Sequence, residues 1–421
     1  APTLVYYFLR VGAIMKIDIY GQDRQFERVL KKLEKANISK HNKELIIRFK
    51  NNCIIEGISK ARIQRYLYDL IKLGVYFGKK KFEDATREDI ERVINEFISS
   101  GNSLNGKPYS PRTIEDFKKS LKRFFKWLRG TDHMPPEVAW LKGNGKATRV
   151  KTPEEVLTQE EIRKMISVAD NKLERAFVSM LYESGCRIGE IANIRLKDIE
   201  FLREHALITV NGKTGVRRIV IVFSLPYLQE WINEHPLKDN PEAPLWINKH
   251  MEPMRYKSFA DILKDLAKKA GIKKKVNPHN FRHSRATHLA GKLPEAVMKE
   301  FFGWTQSSKM AGIYVHLSGE AVRKEVLRRV YGLEKVEEEK REELSPIICP
   351  RCKEQNPPTH KFCCKCGMIL DEEEARKLIE TESKKREAER ILELILTMRR
   401  EKFKELVKEC LVELGEVNVR T

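Results

Sequence analysis

A chain of 421 residues is longer than one typical hydrophobic core organises, and 41% hydrophobic content is enough for several globular domains. Lys and Arg outnumber Asp and Glu by 81 to 60, a net charge of +21, so the natural partner is a polyanion: nucleic acid or an acidic membrane surface. No uninterrupted apolar run approaches the ~18 residues of a membrane span, which leaves nucleic acid as the preferred partner and argues against membrane attachment.

The charge is uneven. Residues 1–155 hold 32 basic against 19 acidic side chains, residues 156–335 hold 31 against 21, and residues 336–421 hold 18 against 20. Residues 1–21 read as an N-terminal extension, largely apolar up to Ile14 and lacking the charged start of a signal peptide. Met15 then opens a plainly polar sequence and is a candidate internal start.

Residues 22–130 read as a helical domain. Ile63, Leu67, Leu70, Ile71 and Val75 recur at helical spacing, as do Ile90, Val93, Ile94 and Phe97. Ser110-Pro111 predicts a helix start, and the helix over about 113–129 interleaves Lys118, Lys119, Lys122, Arg123 and Lys126 with Phe117, Leu121, Phe124, Phe125 and Trp127. Such a face is either solvated or laid on phosphates. Gly101 to Lys107 nearly spells a nucleotide-binding loop, but Pro108 stands where Ser or Thr is required. Residues 131–155, with Pro135, Pro136, Gly143, Gly145 and Pro153, read as a linker.

Residues 156–335 read as a mixed α/β domain. Thr158 to Glu161 has the pattern of a capping box. Strands are predicted over 206–210 and 217–223, joined by an Asn211-Gly212-Lys213-Thr214-Gly215 turn, with helices resuming near Ser258, Phe281, Leu293 and Gly319. Arg187 falls where a turn feeds a helix, in the first turn, where backbone N–H groups favour an anion. Glu190, three residues on, can hold it. His279 and Arg282 share a helical face behind an Asn277-Pro278 start. Gly303-Trp304 and then Tyr314 follow. Two arginines, a lysine and a histidine can surround one phosphate, and a tyrosine can attack it.

Eight cysteines are present. Cys349, Cys352, Cys363 and Cys366 form C-x₂-C, ten residues, C-x₂-C, the spacing of a tetrahedral zinc site. The expectation is a structural zinc ribbon over 345–370, with Gly367 in the second knuckle turn, Cys364 left over and His360 a weaker ligand candidate. Metal-site rather than disulfide spacing points to a reducing cytoplasm. Residues 371–421 read as a charged C-terminal helix, able to pack or to form a short coiled coil.

Taken together, the run SGCRIGEIANIRLKDI at 184–199, the NGKTG turn, HNFRHSRATHLA at 279–290, FFGW at 301–304 and YVHL at 314–317 resemble the tyrosine recombinase (phage integrase) family. The resemblance covers about 15–335. It implies a mainly α fold with a small antiparallel sheet: a helical core-binding domain, 22–130, and a catalytic domain, 156–335, closing as a clamp on double-stranded DNA. It places the catalytic set on Arg187, Lys213, His279, Arg282, Trp304 and Tyr314, with Trp304 where the family more often has histidine. It implies that Tyr314 forms a 3′-phosphotyrosyl link, that Lys213 protonates the leaving 5′-oxygen, and that His279 accepts the tyrosine proton or binds the phosphate. Four protomers would hold two DNA sites, with the helix at about 319–331 docked on a neighbour. No metal or bound cofactor is expected in strand transfer. A type IB topoisomerase and a non-catalytic DNA-binding regulator are the alternatives. The ribbon and the Lys- and Glu-rich composition suggest an archaeal, heat-adapted, mobile-element or chromosomal enzyme.

Overall fold

A computed structural model describes residues 17–101, 106–142, 155–212, 214–308, 310–316, 331, 344–397 and 400–413. Among these, helices dominate, with one three-stranded antiparallel sheet and one two-stranded pair.

The first unit holds α1 (Gln22–Lys35), α2 (Lys40–Ile55), α3 (Lys60–Phe77), α4 (Arg87–Ser100) and α5 (Pro111–Arg129). Helix α5 starts as the sequence dictates: Ser110 Oγ accepts the Thr113 N–H at 3.2 Å and Pro111 takes the first position, where its missing N–H costs nothing. It stops at Gly130, whose φ of 56° reverses the chain. Its apolar face enters a core of edge-to-face aromatic pairs, with Phe124 against Phe49 at 5.3 Å and against Phe82 at 5.4 Å. Lys118, Lys122 and Lys126, spaced one turn apart, line the other side.

The expected linker is shorter than its composition suggests. Pro135 and Pro136 begin a one-turn helix, α6 (Pro136–Ala139), and Val138 and Leu141 are buried in the first core. Arg129 Nε donates to Glu137 at 2.7 Å. Residues 143–154 lie outside the described residues.

The second unit holds α7 (Gln159–Ser167), α8 (Lys172–Ser184), α9 (Ile188–Ile191), β1 (Ile199–Phe201), β2 (Ala206–Gly212), β3 (Gly215–Ile221), α10 (Leu225–Glu234), α11 (Tyr256–Lys269), α12 (Pro278–Leu289), α13 (Glu295–Phe302) and α14 (Met310–His316). The Thr158 capping box forms in both directions. From Ala176 onward α8 is buried throughout, the axis of the largest core. Ile19, from the expected N-terminal extension, and Leu344, beyond the expected end at 335, are buried in the same core.

Strand order is β1-β2-β3, and Gly212 pairs with Gly215. Strand β3 begins and ends two residues earlier than predicted. Its end has a clear cause: the buried Glu183 carboxylate accepts the N–H groups of Val222, Phe223 and Ser224 at 2.7, 3.1 and 2.9 Å, so they cannot join the ladder. The alternation of β3 puts Arg217, Ile219 and Ile221 inward, whereas Arg218 faces out towards Glu200.

The cysteine segment pairs β4 (Ile347–Ile348) with β5 (Gln355–Asn356). Helices α15 (Glu372–Thr397) and α16 (Arg400–Glu413) follow where the charged C-terminal helix is expected, with residues 398–399 outside the described set. Ile379, Ile391, Leu392 and Leu394 of α15 and Leu406 and Val407 of α16 are exposed rather than packed on the described core. The expected helix at 319–331 falls outside the described residues except for Tyr331.

If 136–142 belongs to the first core, Leu141→Ala should lower its thermal stability by the ~2–5 kcal/mol of a buried leucine truncation. A change below ~0.5 kcal/mol in a chemical melt of the variant would return this segment to the linker.

Candidate active site

The site assembles on the C-terminal end of α13. Helix C-termini leave carbonyls without intrahelical partners and carry partial negative charge. Here three guanidiniums take them. Arg217 Nε donates to Phe301 O at 3.1 Å, Arg282 donates to Phe302 O at 2.6 Å, and Arg187 donates to Gly303 O at 3.2 Å. Thr214 Oγ1 donates to the same Gly303 carbonyl at 3.1 Å, tying the hairpin tip to the helix end. Gly303 adopts φ +57°, and a Cβ there would lie 2.8 Å from Arg217 and 3.1 Å from Thr214 Oγ1. Glycine is therefore required both by backbone conformation and by space.

Glu190 makes this concentration of positive charge tolerable. Its carboxylate accepts Arg187 at 2.8 Å and Arg217 at 2.9 and 3.1 Å, and it also caps the Arg187 backbone N–H at 2.9 Å. Burial pushes this carboxyl up, but Arg217, then Arg187, outweigh it and hold it down at about 2. The sequence placed Arg187 inside a helix whose N-terminus would attract an anion. Arg187 instead precedes a single turn, and its own N–H is spent on Glu190. Anion attraction at this point rests on guanidinium charge and not on a helix dipole.

Arg282 is nearly buried. It also donates to Gly185 O at 3.0 Å, and its guanidinium lies over the Phe302 and Trp304 rings at 5.2 and 5.7 Å. Burial first, and then the charge of Arg187, pull Arg282 from 12.5 down to about 10. A cation held at that disadvantage gains from an arriving anion. Helix α12 starts as expected, with Asn277 accepting the Asn280 N–H at 2.9 Å, and so carries His279 and Arg282 on adjoining faces.

Tyr314 is buried, 4% exposed, and its ring lies parallel to Trp304 at 5.7 Å. Burial, only partly offset by Arg282, pushes its phenol up to about 12. Its hydroxyl hydrogen-bonds not to His279 but to Nδ1 of His283, whose Nε2 is 2.9 Å from His279 Nε2. Of the residues singled out in the sequence, the structure thus brings together Arg187, His279, Arg282, Trp304 and Tyr314. Lys213 lies outside the described residues, between Gly212 and Thr214. Arg217 and Arg218 stand in the sequence as basic neighbours competing with Lys213 for the hairpin position, and strand alternation turns Arg217 inward as a brace. His283 is not singled out by the sequence, although it sits four residues from His279, the spacing of one helical face.

In the cysteine segment the Sγ atoms of Cys349, Cys352, Cys363 and Cys366 all lie within 4.8 Å of one another, with Cys349 to Cys366 at 3.6 Å and Cys352 to Cys363 at 3.5 Å. A tetrahedral tetrathiolate with ~2.3 Å bonds needs sulfurs roughly 3.8 Å apart, so the four fit a single ion. Gly367 takes φ +70° in the second knuckle, as its type predicts, and Lys353 takes φ +60° in the first. His360 is directed elsewhere: its ring meets Tyr227 edge-on and lies 3.4 Å from Glu230, while Tyr227 Oη is 2.6 Å from Thr359 Oγ1. Cys364 is exposed. The cysteine segment therefore sits against α10 of the second unit.

Residues 155–320 match the model of the phage integrase family. The chain is 30% identical over 291 residues to tyrosine recombinase XerA of Pyrococcus furiosus, covering 68% of this chain and 93% of that protein. Its fold is shared with the XerH site-specific recombinase in a post-cleavage complex with a palindromic difH substrate (TM-score 0.51, 18% identity, 75% of this chain and 98% of that one). A lambda integrase dimer on a COC′ core site gives a TM-score of 0.52 at 16% identity, covering 69% of this chain and 81% of that one. The chain belongs to the tyrosine recombinase (phage integrase) family and is a site-specific recombinase. Among the described residues no helix is long and apolar enough to cross a membrane.

Glu190 gives the site a signature in acid. Its folded value of about 2 lies below the ordinary 4.5. The stability it contributes is therefore fully present above about pH 4.5 and drains away as pH falls towards 2. Glu190→Gln should lose that contribution at neutral pH and show a flatter acid limb in a melting-temperature series from pH 7 to 2. An unchanged limb would remove Glu190 from its clamping role.

Proposed function

We propose that Arg187 and Arg282 bind the scissile phosphodiester of double-stranded DNA and that Tyr314 is the nucleophile. The observation carrying this reading is the convergence of two polarised guanidiniums, one of them nearly buried, beside a buried tyrosine hydroxyl already hydrogen-bonded to an imidazole. Each guanidinium spends two N–H groups on the protein, which leaves part of its five-donor fork for phosphate oxygens. Their charge is fixed before the reaction begins, so stabilising the extra negative charge of the pentacoordinate transition state needs little reorganisation.

Tyr314 Oη forms a bond to phosphorus as the P–O5′ bond breaks, leaving a 3′-phosphotyrosyl link and a free 5′-hydroxyl. The energy of the phosphodiester is kept in that link, and attack by another 5′-hydroxyl rejoins strands without a nucleotide. Lys213 is assigned as the donor of the proton to the leaving oxygen on motif position alone. Trp304 packs the phenol against the pocket. Lys118, Lys122 and Lys126 form a cationic row on α5 that suits a phosphate backbone.

Zinc is the proposed occupant of the four-thiolate cluster. All four donors are soft, and Cys349, Cys352, Cys363 and Cys366 would hold the ion closed and structural. A synaptic homotetramer on two DNA sites, a cytoplasmic location and a heat-adapted archaeal source belong to the same proposal. They are supported by the lambda integrase tetramer bound to a Holliday junction, which shares the fold, by the metal-ligand rather than disulfide spacing of the cysteines, and by likeness to a Pyrococcus protein.

Covalent trapping on nicked duplex DNA tests the reading. Wild type should form a protein–DNA adduct, and Tyr314→Phe should form none; an adduct persisting in Tyr314→Phe moves the nucleophile elsewhere, and none with wild type favours a protein that only binds. Chelation should release about one zinc per chain and unfold 345–370 while adduct formation survives. Loss of cleavage on chelation would contradict a purely structural ion.

A further inference from the structure

The family motif gives His283 no task. His283 follows Arg282 directly, and its Nδ1 is the hydrogen-bond partner of the Tyr314 hydroxyl. One helical turn back, His279 Nε2 lies 2.9 Å from His283 Nε2, the two rings crossing at 79° with centroids 4.3 Å apart. The three groups form a line: phenol, buried-side imidazole, outer imidazole. We propose that His283 is a catalytic residue, the immediate acceptor of the Tyr314 proton, and that His279 is the second station of a two-histidine relay.

The proposal rests on Tyr314 being the nucleophile. The need for a relay follows from access. The phenol is 4% exposed and stacked under Trp304, so bulk water does not reach it readily. Its proton must leave through a group inside the pocket. The relay runs when neutral His283 carries its proton on Nε2 and neutral His279 on Nδ1. As Tyr314 Oη bonds to phosphorus, its proton passes to His283 Nδ1. His283 Nε2 releases its proton to His279 Nε2. His283 ends neutral and His279 ends as imidazolium, while the P–O5′ electron pair leaves with the 5′-oxygen, which takes a proton from the general acid. No proton or electron is unaccounted for, and the positive charge finishes one residue further from the nucleophile. Among the described groups, the charge of Arg282 on the same helix is felt at Tyr314, and Arg187 lies beside Arg282. A guanidinium beside the phenol disfavours an imidazolium there, which is a reason for passing the charge outward.

The test uses the full chain and 30-bp duplexes enriched by binding from a random-sequence pool, each then nicked near its centre. Single-turnover adduct formation is followed from pH 5 to 10 for wild type, His283→Gln, His279→Gln and Tyr314→Phe. Glutamine preserves hydrogen bonding and size but takes no proton. The expected result for His283→Gln is unchanged DNA affinity and melting temperature, with cleavage slowed by about 10²- to 10⁴-fold at neutral pH. Its rate should climb about tenfold per pH unit as hydroxide replaces the lost base, whereas wild type levels off once its imidazoles are neutral. A substrate with sulfur at the bridging 5′ position, which needs no general acid, should leave the His283→Gln defect in place. His279→Gln should be less impaired and keep the wild-type levelling. Wild-type rate in His283→Gln overturns the proposal, as does a slower rate with the wild-type pH profile, which marks a structural role. Reversal of the two variants' profiles makes His279 the acceptor and overturns it too. The Tyr314→Phe arm separates these outcomes from failure of the nucleophile assignment, because only that failure leaves an adduct without Tyr314.

Discussion

The end of one eight-residue helix organises the catalytic centre. The last carbonyls of α13 face three arginines that come from a loop before α9, from strand β3 and from helix α12. Like charges brought this close repel, and the arrangement is stable only because each guanidinium also gains a carbonyl at the negative end of a helix dipole and because Glu190 is buried among them. Two of the cations are compensated by Glu190. Among the described residues Arg282 has no carboxylate in salt-bridge contact, so it bears the electrostatic disadvantage, and it is the one that a phosphate relieves most.

This division sorts the three arginines by role. Arg217 is inward, held by both Glu190 oxygens, the Phe301 carbonyl and the Cys186 sulfur, and so acts as a brace. Arg187 and Arg282 keep donors in reserve. Because the brace, the Thr214 side chain and Arg187 converge on Gly303 and its neighbours, the hairpin tip that carries Lys213 in sequence is linked mechanically to the segment leading to Trp304 and Tyr314. A shift of α13 by a fraction of a hydrogen-bond length would disturb the phosphate site and the nucleophile together.

The remaining parts are attached to this centre at separate points. The first unit packs its own aromatic core and presents a basic helix. The cysteine segment meets α10 through Thr359 and His360, so the histidine that composition offers as a metal ligand serves as a docking residue. The beginning of α10 is in turn fixed by Glu183 from the end of α8, two residues before the Gly185 carbonyl that holds Arg282. Leu378, Ile379, Ile391, Leu392 and Leu394 of α15 and Leu406 and Val407 of α16 are exposed in the single chain.

The sequence by itself determined the local elements and the chemical inventory. Caps at Ser110, Thr158 and Asn277, the Gly367 knuckle and the cysteine spacing are short-range features, settled by hydrogen bonds a few residues apart, and each forms where its residues indicate. The order of Arg187, His279, Arg282, Trp304 and Tyr314 named the chemistry through its resemblance to a family. Tertiary structure decided what depends on contacts between distant segments. It ended β3 two residues early because Glu183, about forty residues back, claimed its N–H groups. It absorbed 136–142 into the first core because Val138 and Leu141 found an apolar surface there. It chose Arg217 over Arg218 by strand parity, and it set His283 rather than His279 against the phenol. Residue type states what a side chain can do; which partner it meets is fixed by packing between segments, and linear spacing does not encode that geometry.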